Sequence, residues 1–387
     1  MATSQPDIRT TDHPRGAWVL IAFFIALLAF VPAAQLAVEI ARHEPIQELD
    51  VLKQTPTLQH FQSFERALED NSVVAEMARK HCQWIGLVAL HAGNREALMG
   101  RGDWMYYRTS LDSVTAHGFM DDPQAEGHPL DAILRFDDAL DASGVELVLL
   151  IVPGKEKIYP EWLSRRAGKL ASAPTNEDMD AFLAALDDAG TRYLNPTELL
   201  WNAKGGSSDL YLRGDTHWTP EGCALVADEL GRMVAQPTGP QLEMRVEALA
   251  VSNRGDLHDM LELADLPSPR EPQAVTVQRI VHADTGEPIE PDMDSPIVLL
   301  GDSFTNVFSV GDMGWGDYAG LGEQLAYRLG RPIDIIAQND GGVNTARATL
   351  ARRPGGLTGK QVVIWQFAAR DLVVSNGEWK RIEIASR

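Results

Sequence analysis

Cysteine is scarce in this sequence: only Cys82 and Cys223 occur in 387 residues. Neither belongs to a Cys-x-x-Cys pair or a Cys/His cluster, so the spacing excludes a structural zinc site. One disulfide between them is possible in an oxidising compartment, and two buried free thiols are the alternative that we favour.

Basic charge is also scarce, with 34 Lys and Arg against 55 Asp and Glu and a formal net charge of -21. Nucleic acid binding needs a basic face that displaces counterions from phosphates, so this composition argues against nucleic acid as a partner. A hydrophobic fraction of 44% is that of a globular chain, and we find no repeat or low-complexity tract. The length permits one large domain or two ordinary ones.

Formal charge is absent for 23 residues, from Gly16 to Val38. As a helix this segment would span the hydrocarbon core of about 30 Å. We predict a cytoplasmic tail over 1–16 and an uncleaved transmembrane signal anchor over 17–38, with the remainder of the chain exported. A signal peptide cleaved near residues 31–33 is the competing interpretation. Lys and Arg flank the segment almost evenly, so the positive-inside rule decides little about orientation.

Beyond the anchor, the sequence predicts a helical neck over 39–97 and a globular domain over 98–387. Apolar runs with strand character alternate there with helix start and stop signals, which predicts an α/β fold with a parallel sheet covered by helices on both faces. The segment 242–289 breaks the alternation and is predicted to be an insertion that contains a strand at 274–281. The other predicted strands are 145–152, 193–194, 297–300, 333–337 and 362–367, and the predicted helices are 177–189, a helix from 220 onward, 317–329 and 344–353.

A serine follows one of these strands in the turn Gly301-Asp302-Ser303. Ligands of open α/β sheets bind just beyond the carboxyl ends of the strands. A serine in a tight turn at that edge is exposed, and neighbouring backbone N–H groups can face a developing oxyanion. We therefore take Ser303 as a candidate nucleophile.

A second motif, Asp215-Thr216-His217-Trp218, leads into the predicted helix that starts at Pro220. A serine hydroxyl needs a base to remove its proton, and a histidine needs an acceptor on its other ring nitrogen to hold the useful tautomer. Asp215 and His217 can supply both parts from one short segment. Together with Ser303 they predict a catalytic triad.

At this point the sequence resembles a known family. Gly301-Asp302-Ser303 is similar to the nucleophile block of the SGNH hydrolase superfamily, whose fold is flavodoxin-like. An Asp-x-His-Trp motif upstream of Gly-Asp-Ser-Phe resembles the AlgJ/AlgX-type alginate O-acetyltransferase branch, in which the motif order is circularly permuted. The segments 100–106, 152–155 and 363–370 resemble further blocks of that branch.

The resemblance implies the remaining candidate site residues. Asn339-Asp340-Gly341-Gly342 resembles the second SGNH block, so Gly341, Gly342 and Asn344 are candidates for oxyanion and substrate contacts. The third block, Gly-x-Asn-Asp, is absent, because the chain reads Gln366-Phe367-Ala368-Ala369-Arg370-Asp371 after the last strand. The source of the side-chain oxyanion donor therefore stays open.

Four other side chains could meet a sugar: Trp218 by stacking, and Lys155, Lys157 and Arg370 by charge. An acidic domain repels a polyanionic polymer at long range, so such a substrate would need a local basic lining, whereas a neutral polymer would not. The alternatives are solvated loop lysines for Lys155 and Lys157, and a core or loop-anchoring tryptophan for Trp218. For Arg370 the alternative is a charge pair near Asp371.

Taken together, these features predict an enzyme that acetylates an exported exopolysaccharide through an acyl-Ser303 intermediate, with no metal or organic cofactor. The resemblance implies an acetyl donor delivered by a membrane-bound O-acyltransferase partner. A carbohydrate acetylesterase and a non-catalytic polysaccharide-binding scaffold are the alternatives. The short segment after Asp371 makes the chain more similar to the membrane-anchored AlgJ type than to AlgX-like proteins with a C-terminal carbohydrate-binding module.

Overall fold

A computed structural model of the chain describes residues 14–43, 55, 57–234, 241–263, 266–339, 341–375 and 377–384. The chain divides into two compact units: one comprises 1–89 and 263–267, the other 90–262 and 268–387. Most of the predicted cytoplasmic tail lies outside the described residues, as do the neck residues 44–54.

Three helices form the described part of the first unit: α1 (Pro14–Arg42), α2 (Leu58–Asn71) and α3 (Val73–Leu90). Within α1, the span Ala17–Arg42 has a mean hydropathy of 2.5, so it is long and apolar enough to cross a membrane. The predicted anchor is thus a single helix, and it continues past its predicted end at residue 38. The backbone N–H of Val73 donates to Oε1 of Gln35 at 3.0 Å, which connects α3 to α1.

The second unit contains nine strands and most of the helices in the part of the chain described. The strands are β1 (Ala97–Met99), β2 (Met105–Tyr107), β3 (Glu146–Val152), β4 (Arg192–Leu194), β5 (Met244–Asn253), β6 (Gln273–His282), β7 (Ile297–Gly301), β8 (Asp334–Ala337) and β9 (Val362–Ala368). The helices are α4 (Arg108–Thr115), α5 (Pro129–Asp141), α6 (Lys155–Ile158), α7 (Pro160–Leu163), α8 (Glu177–Ala189), α9 (Thr197–Ala203), α10 (Pro220–Met233), α11 (Asp256–Asp259), α12 (Ser303–Asn306), α13 (Leu321–Leu329), α14 (Gly342–Arg352) and α15 (Asp371–Val374).

The central sheet has the strand order β4-β3-β9-β7-β8, and every pairing in it is parallel. Its strands correspond to the five predicted apolar runs. Side chains alternate between two cores on opposite faces: Val148, Leu150 and Val152 of β3 face one core, and Leu147 and Leu149 face the other. The predicted α/β layering with helices on both faces is confirmed.

The helix boundaries follow from local chemistry. Thr219 caps α10, because its hydroxyl accepts from the N–H of Gly222 at 3.2 Å and Pro220 occupies the first helical position. The helix predicted from 317 begins only at Leu321, because Tyr318 has a φ of 53° and the chain turns there before Gly320.

The predicted insertion folds into an antiparallel hairpin of β5 and β6 with ten paired positions. The predicted strand at 274–281 lies within β6. Residues 254–262, which follow β5, contain α11.

The two cysteines are unpaired, with Cys223 buried and Cys82 exposed. The expectation of a buried free thiol is confirmed for Cys223 and is wrong for Cys82, which lies on the outer side of α3.

Candidate active site

Ser303 begins α12 directly beyond the carboxyl end of β7, as the turn motif predicts. Two residues hold this turn. Asp302 accepts from the N–H of Phe304 at 2.7 Å, and Gln366 of β9 donates to Oδ1 of Asp302 at 2.8 Å. The N–H of Asp302 donates in return to Oε1 of Gln366 at 3.0 Å. The turn is therefore fastened to the neighbouring strand, and Ser303 has a fixed position at the sheet edge.

His217 lies in a loop that closes on itself before α10. The N–H of Leu212 donates to the carbonyl of His217 at 3.0 Å, and the N–H of Thr219 donates to the carbonyl of Leu210 at 3.0 Å. Inside the loop, the ammonium of Lys155 donates to the carbonyls of Leu212 at 2.8 Å, Arg213 at 3.1 Å and Asp215 at 2.7 Å. This buried lysine holds the loop in one shape.

The three predicted triad residues form a continuous hydrogen-bonded chain. Nε2 of His217 lies 2.8 Å from Oγ of Ser303, and Nδ1 of His217 lies 2.6 Å from Oδ1 of Asp215. Phe304 packs edge-on against the imidazole, with ring centroids 4.7 Å apart. These are the contacts by which a histidine can remove a proton from a serine while a carboxylate holds its tautomer.

The second oxygen of Asp215 is bound as well. Oδ2 accepts from Nε1 of Trp315 at 2.8 Å and from the backbone N–H of Asp256 at 3.0 Å. Both oxygens of this buried carboxylate therefore have donors, which fixes its orientation toward His217.

Burial and charge act on the two buried residues in opposite directions. Burial raises the pKa of Asp215, but the His217 charge and the hydrogen bonds from His217, Trp315 and Asp256 outweigh it and hold that pKa well below its usual range. Burial lowers the pKa of His217, but the charge and hydrogen bond of Asp215 outweigh it, so the pKa is raised. The pair is therefore an ionised carboxylate beside a histidine that accepts a proton readily.

A cavity of about 200 Å³ opens beside Ser303, and Gly341, Gly342 and Arg370 line it. In the part of the chain that the structure describes, the N–H of Ser303 has no acceptor. The first N–H groups of α14, beginning at Gly342, have no carbonyl partner within their helix. These groups are therefore available to an oxyanion in the cavity. Asp340, within the second predicted block, lies outside the described residues.

Arg370 carries the positive charge of this cavity. Its guanidinium lies 5.5 Å from the centroid of the Tyr107 ring and 5.8 Å from that of Phe304. Nε lies 3.9 Å from Oδ1 of Asp371, and Nη1 lies 3.5 Å from Oγ of Ser110. The two rings hold the cation in place while these polar contacts remain loose, so it retains hydrogen-bonding capacity toward a ligand.

Three other expected substrate contacts are wrong. Lys155 is 3% exposed and its three protons are directed at loop carbonyls. Trp218 is 0% exposed and packs edge-on against Phe304, with ring centroids 5.2 Å apart. Asn344 donates to the carbonyl of Glu378 at 2.9 Å and accepts from Arg347 and from the N–H of Lys380. All three are structural residues here.

Lys157 is also buried, so it is neither a solvated loop lysine nor a lining of this cavity. Of the four basic or aromatic candidates for sugar contacts, the structure therefore brings Arg370 to Ser303.

Gln366 stands near the position where the missing Asn of the third block was expected. Its Oε1 accepts from the N–H of Asp302 and from Oγ1 of Thr305 at 2.8 Å, while its Nε2 donates to Asp302. Gln366 is 1% exposed, and its Oε1 and one N–H of its Nε2 hold the nucleophile turn.

Asp215, His217 and Asp256 also have the residue types and proximity of a metal site, with ligand atoms within 4.8 Å of one another. Their facing atoms, however, bind each other and nearby donors: Asp215 binds His217 and Trp315, and Asp256 accepts from the N–H of Thr216 at 2.7 Å. This hydrogen-bonded set fits proton transfer better than metal ligation.

Sequence reasoning missed Asp256 and Trp315, the two donors to the second oxygen of Asp215. Asp256 lies within the predicted insertion, and Trp315 follows the Gly-Asp-Ser turn by a dozen residues. Neither belongs to a motif, and both reach Asp215 only through tertiary folding. The sequence offers no local signal for such contacts.

Known proteins resemble this chain in sequence and in fold. Residues 97–369 match the family model described as SGNH hydrolase-like domain, acetyltransferase AlgX. The probable alginate O-acetylase AlgJ of Pseudomonas fluorescens is 26% identical over 292 residues, which cover 73% of this chain and 70% of the relative. The protein of the same name from Pseudomonas putida is 24% identical over 357 residues, covering 83% and 86%.

Two solved structures share the fold. The O-acetyltransferase domain of Pseudomonas putida AlgJ superposes with a TM-score of 0.55 at 22% identity, covering 73% of this chain and 93% of the other. Pseudomonas aeruginosa AlgX superposes with a TM-score of 0.52 at 20% identity, covering 70% and 62%. The predicted SGNH-like fold is confirmed.

Proposed function

This chain belongs to the SGNH hydrolase-like acetyltransferase family of AlgX, and on that premise we propose that it O-acetylates a polysaccharide through an acetyl-Ser303 intermediate. The observation that carries the proposal is the continuous hydrogen-bonded chain from Asp215 through His217 to Ser303, beside an open cavity. The relatives named as probable alginate O-acetylases support a polysaccharide as acceptor.

In the first half-reaction, Oγ of Ser303 attacks the carbonyl carbon of the acetyl donor while Nε2 of His217 takes its proton. The N–H groups of Ser303 and of the first residues of α14 receive the oxyanion in the cavity. The tetrahedral species then collapses, the leaving group takes the proton from His217, and the acetyl group remains on Ser303. Asp215 holds the imidazole and stabilises its charge throughout.

The second half-reaction runs the same steps toward a new acceptor. A sugar hydroxyl in the cavity gives its proton to Nε2 of His217 and attacks the acetyl carbonyl. Oγ of Ser303 then leaves and recovers the proton from His217, which releases the acetylated sugar. Water in place of the sugar would give hydrolysis, so transfer requires that the acceptor hydroxyl occupy the cavity first.

Arg370 is the residue that we assign to acceptor binding. Its guanidinium lines the cavity with Ser303, and its contacts to Asp371 and Ser110 are long enough to be exchanged for a ligand. A charged or polar sugar substituent would therefore find a fixed donor there.

The apolar helix α1 supports a membrane location for the enzyme. We place this anchor in the inner membrane with the catalytic unit in the periplasm, beside the exported polymer. An acetyl donor supplied from the membrane by an O-acyltransferase partner suits this arrangement, because the anchor ties the enzyme to the membrane.

The test is transfer of acetyl from a chromogenic acetyl ester to a panel of neutral and uronate oligosaccharides, followed by mass spectrometry of the sugars. The wild-type enzyme should yield acetylated oligosaccharide. Ser303→Ala should lower the rate by at least about 1,000-fold, because no other group forms the acyl-enzyme. Ser207→Ala, at an exposed serine, is the matched control and should retain full activity.

Three results would argue against the proposal in different ways. Full transfer by Ser303→Ala would exclude the serine as the nucleophile. Release of acetate with no acetylated sugar across the panel would indicate an esterase. Absence of both activities, together with no labelling of Ser303 by a fluorophosphonate, would indicate a non-catalytic scaffold.

A further inference from the structure

The insertion touches the catalytic loop through an unusually close backbone contact. Gly255 has a φ of 92°, and a Cβ on it would lie 2.4 Å from the carbonyl oxygen of Gly214. A Cβ on Gly214 would lie 2.3 Å from the carbonyl oxygen of Arg254. Only glycine fits at both positions, so the two loops meet backbone to backbone immediately before Asp215 and Asp256.

This contact places Asp256 against Asp215 and the next residue, Thr216. Its backbone N–H donates to Oδ2 of Asp215 at 3.0 Å. Its own carboxylate accepts from the N–H of Thr216 at 2.7 Å through Oδ1 and from the hydroxyl of Thr216 through Oδ2. Three hydrogen bonds therefore connect one residue of the insertion to the segment between Asp215 and His217.

The same carboxylate faces the imidazole. Oδ2 of Asp256 lies 3.7 Å from Nδ1 of His217, the nitrogen that Asp215 already binds at 2.6 Å. Two carboxylates thus lie on one side of the ring, and Ser303 lies on the other at 2.8 Å.

We propose that Asp256 is a positioning residue of the reaction. It holds Asp215 and His217 in the orientation that proton transfer requires, and it adds a second negative charge on the side of the imidazole away from Ser303. This inference rests on the proposed function, because His217 must act as the base for the charge to matter. In this role the insertion completes the active site.

The expected effect on pH dependence follows from the charges around His217. Burial and the Asp215 charge raise the pKa of Asp256 to about 6, while the pKa of His217 is raised above its usual value near 6.5. Asp256 is therefore already ionised at the pH at which His217 loses its proton. The charge of Arg370 lowers the pKa of His217 and so opposes the effect of the two carboxylates. The Lys155 charge interacts with both carboxylates and with Arg270. Removing the Asp256 charge leaves Arg370 less opposed and should lower the pKa of His217.

The experiment uses the full-length enzyme with Asp256→Asn, which keeps the shape and one acceptor for Thr216 but removes the charge. The acid limb of kcat/KM for a chromogenic acetyl ester should move to lower pH by about one unit. Asp256→Ala removes the acceptors too and should also lower kcat by about 10-fold or more. Asp259→Asn, an 84% exposed acid on the same short helix, makes the same chemical change and should leave the acid limb in place.

A second readout does not depend on turnover. NMR titration of histidine-labelled protein, with His217→Gln to assign the signal, should give a lower pKa for His217 in Asp256→Asn than in wild type. An unchanged NMR pKa and an unchanged acid limb in folded Asp256→Asn would overturn the inference. If wild type forms no acyl-enzyme, the proposed function fails, and the NMR titration alone still decides whether Asp256 acts on His217.

Discussion

At the residue scale, His217 is held in place by groups that do not line the cavity beside Ser303. Lys155 shows this most clearly. Burial lowers its pKa to about 7, while the charges of Asp215 and Asp256 oppose that shift. Its ammonium donates hydrogen bonds to three loop carbonyls. Only the charged form has three protons to give, so the carbonyls favour the ammonium. The loop shape, and with it the place of His217, depends on this one ammonium.

Lys155→Met should therefore damage catalysis without removing a reacting group. The change keeps the volume but leaves three buried carbonyls without a donor, which should cost about 3 kcal/mol of stability. A displaced His217 should lower kcat by about 100-fold with little change in KM, because the base moves relative to Ser303. Steady-state kinetics and a thermal melt measure the two effects.

Lys157→Met is the control for loss of a buried lysine. Lys157 is on the same helix α6 and is similarly buried, but it is not among the donors to the loop. Its kcat should stay within about twofold of wild type. Equal loss of kcat in both variants would mean that general destabilisation, rather than the loop contacts of Lys155, causes the effect.

The sequence predicted the triad because its residues occur in two short motifs. Asp215 and His217 are two residues apart, and Ser303 follows a strand whose carboxyl end points to the same edge. The expectation that Lys155 and Trp218 contact a sugar was wrong. A charged or aromatic residue beside a motif has the same sequence signal whether it faces a ligand or the interior. Only the packing of the loop around Lys155 distinguishes the two cases.

At the element scale, the hairpin of β5 and β6 is more than an insertion between two halves of the sheet. The loop after β5 carries Asp256 to Asp215, and the glycine pair at 214 and 255 makes this approach possible. The sequence predicted an insertion in the α/β alternation that contains a strand at 274–281, and the structure has this strand as β6. The insertion's contribution to the site could not be predicted, because no periodicity or motif links residue 256 to residue 215.

Gly255→Ala should push the loop after β5 away from the loop that carries Asp215. A methyl group there meets the carbonyl of Gly214 at 2.4 Å, and φ of 92° is unfavourable for alanine. The loop must move, so Asp215 loses the Asp256 N–H and activity should fall about 100-fold. Esterase kinetics on the folded variant, with circular dichroism to establish folding, measure the outcome.

Gly311→Ala supplies the matched control. A Cβ on Gly311 has no atom within 4 Å, and the residue lies outside the loop contact. Wild-type activity is expected for it. Wild-type activity in Gly255→Ala as well would mean that the approach of the two loops does not matter for catalysis.

At the scale of the whole molecule, the chain combines a net charge of -21 with an apolar helix, α1, that is long enough to cross a membrane. The continuous apolar runs predicted the parallel sheet, because a strand buried on both faces has an uninterrupted apolar sequence. The boundary between neck and catalytic domain stays a prediction at 97/98, and the choice of polymer depends on contacts beyond the triad. We propose that Arg370 distinguishes a uronate chain from a neutral one, because it is the basic residue that lines the cavity.

The most direct test of the central claim is to identify the acylated residue. Rapid mixing of the enzyme with a chromogenic acetyl ester, acid quench and peptide mass spectrometry should place one acetyl group on Ser303. Asp215→Asn should reduce the rate of its formation by about 10⁴-fold, because the imidazole is left in the wrong tautomer. Acetylation at another residue, or turnover by wild type with Ser303 unmodified at every quench time, would contradict the account.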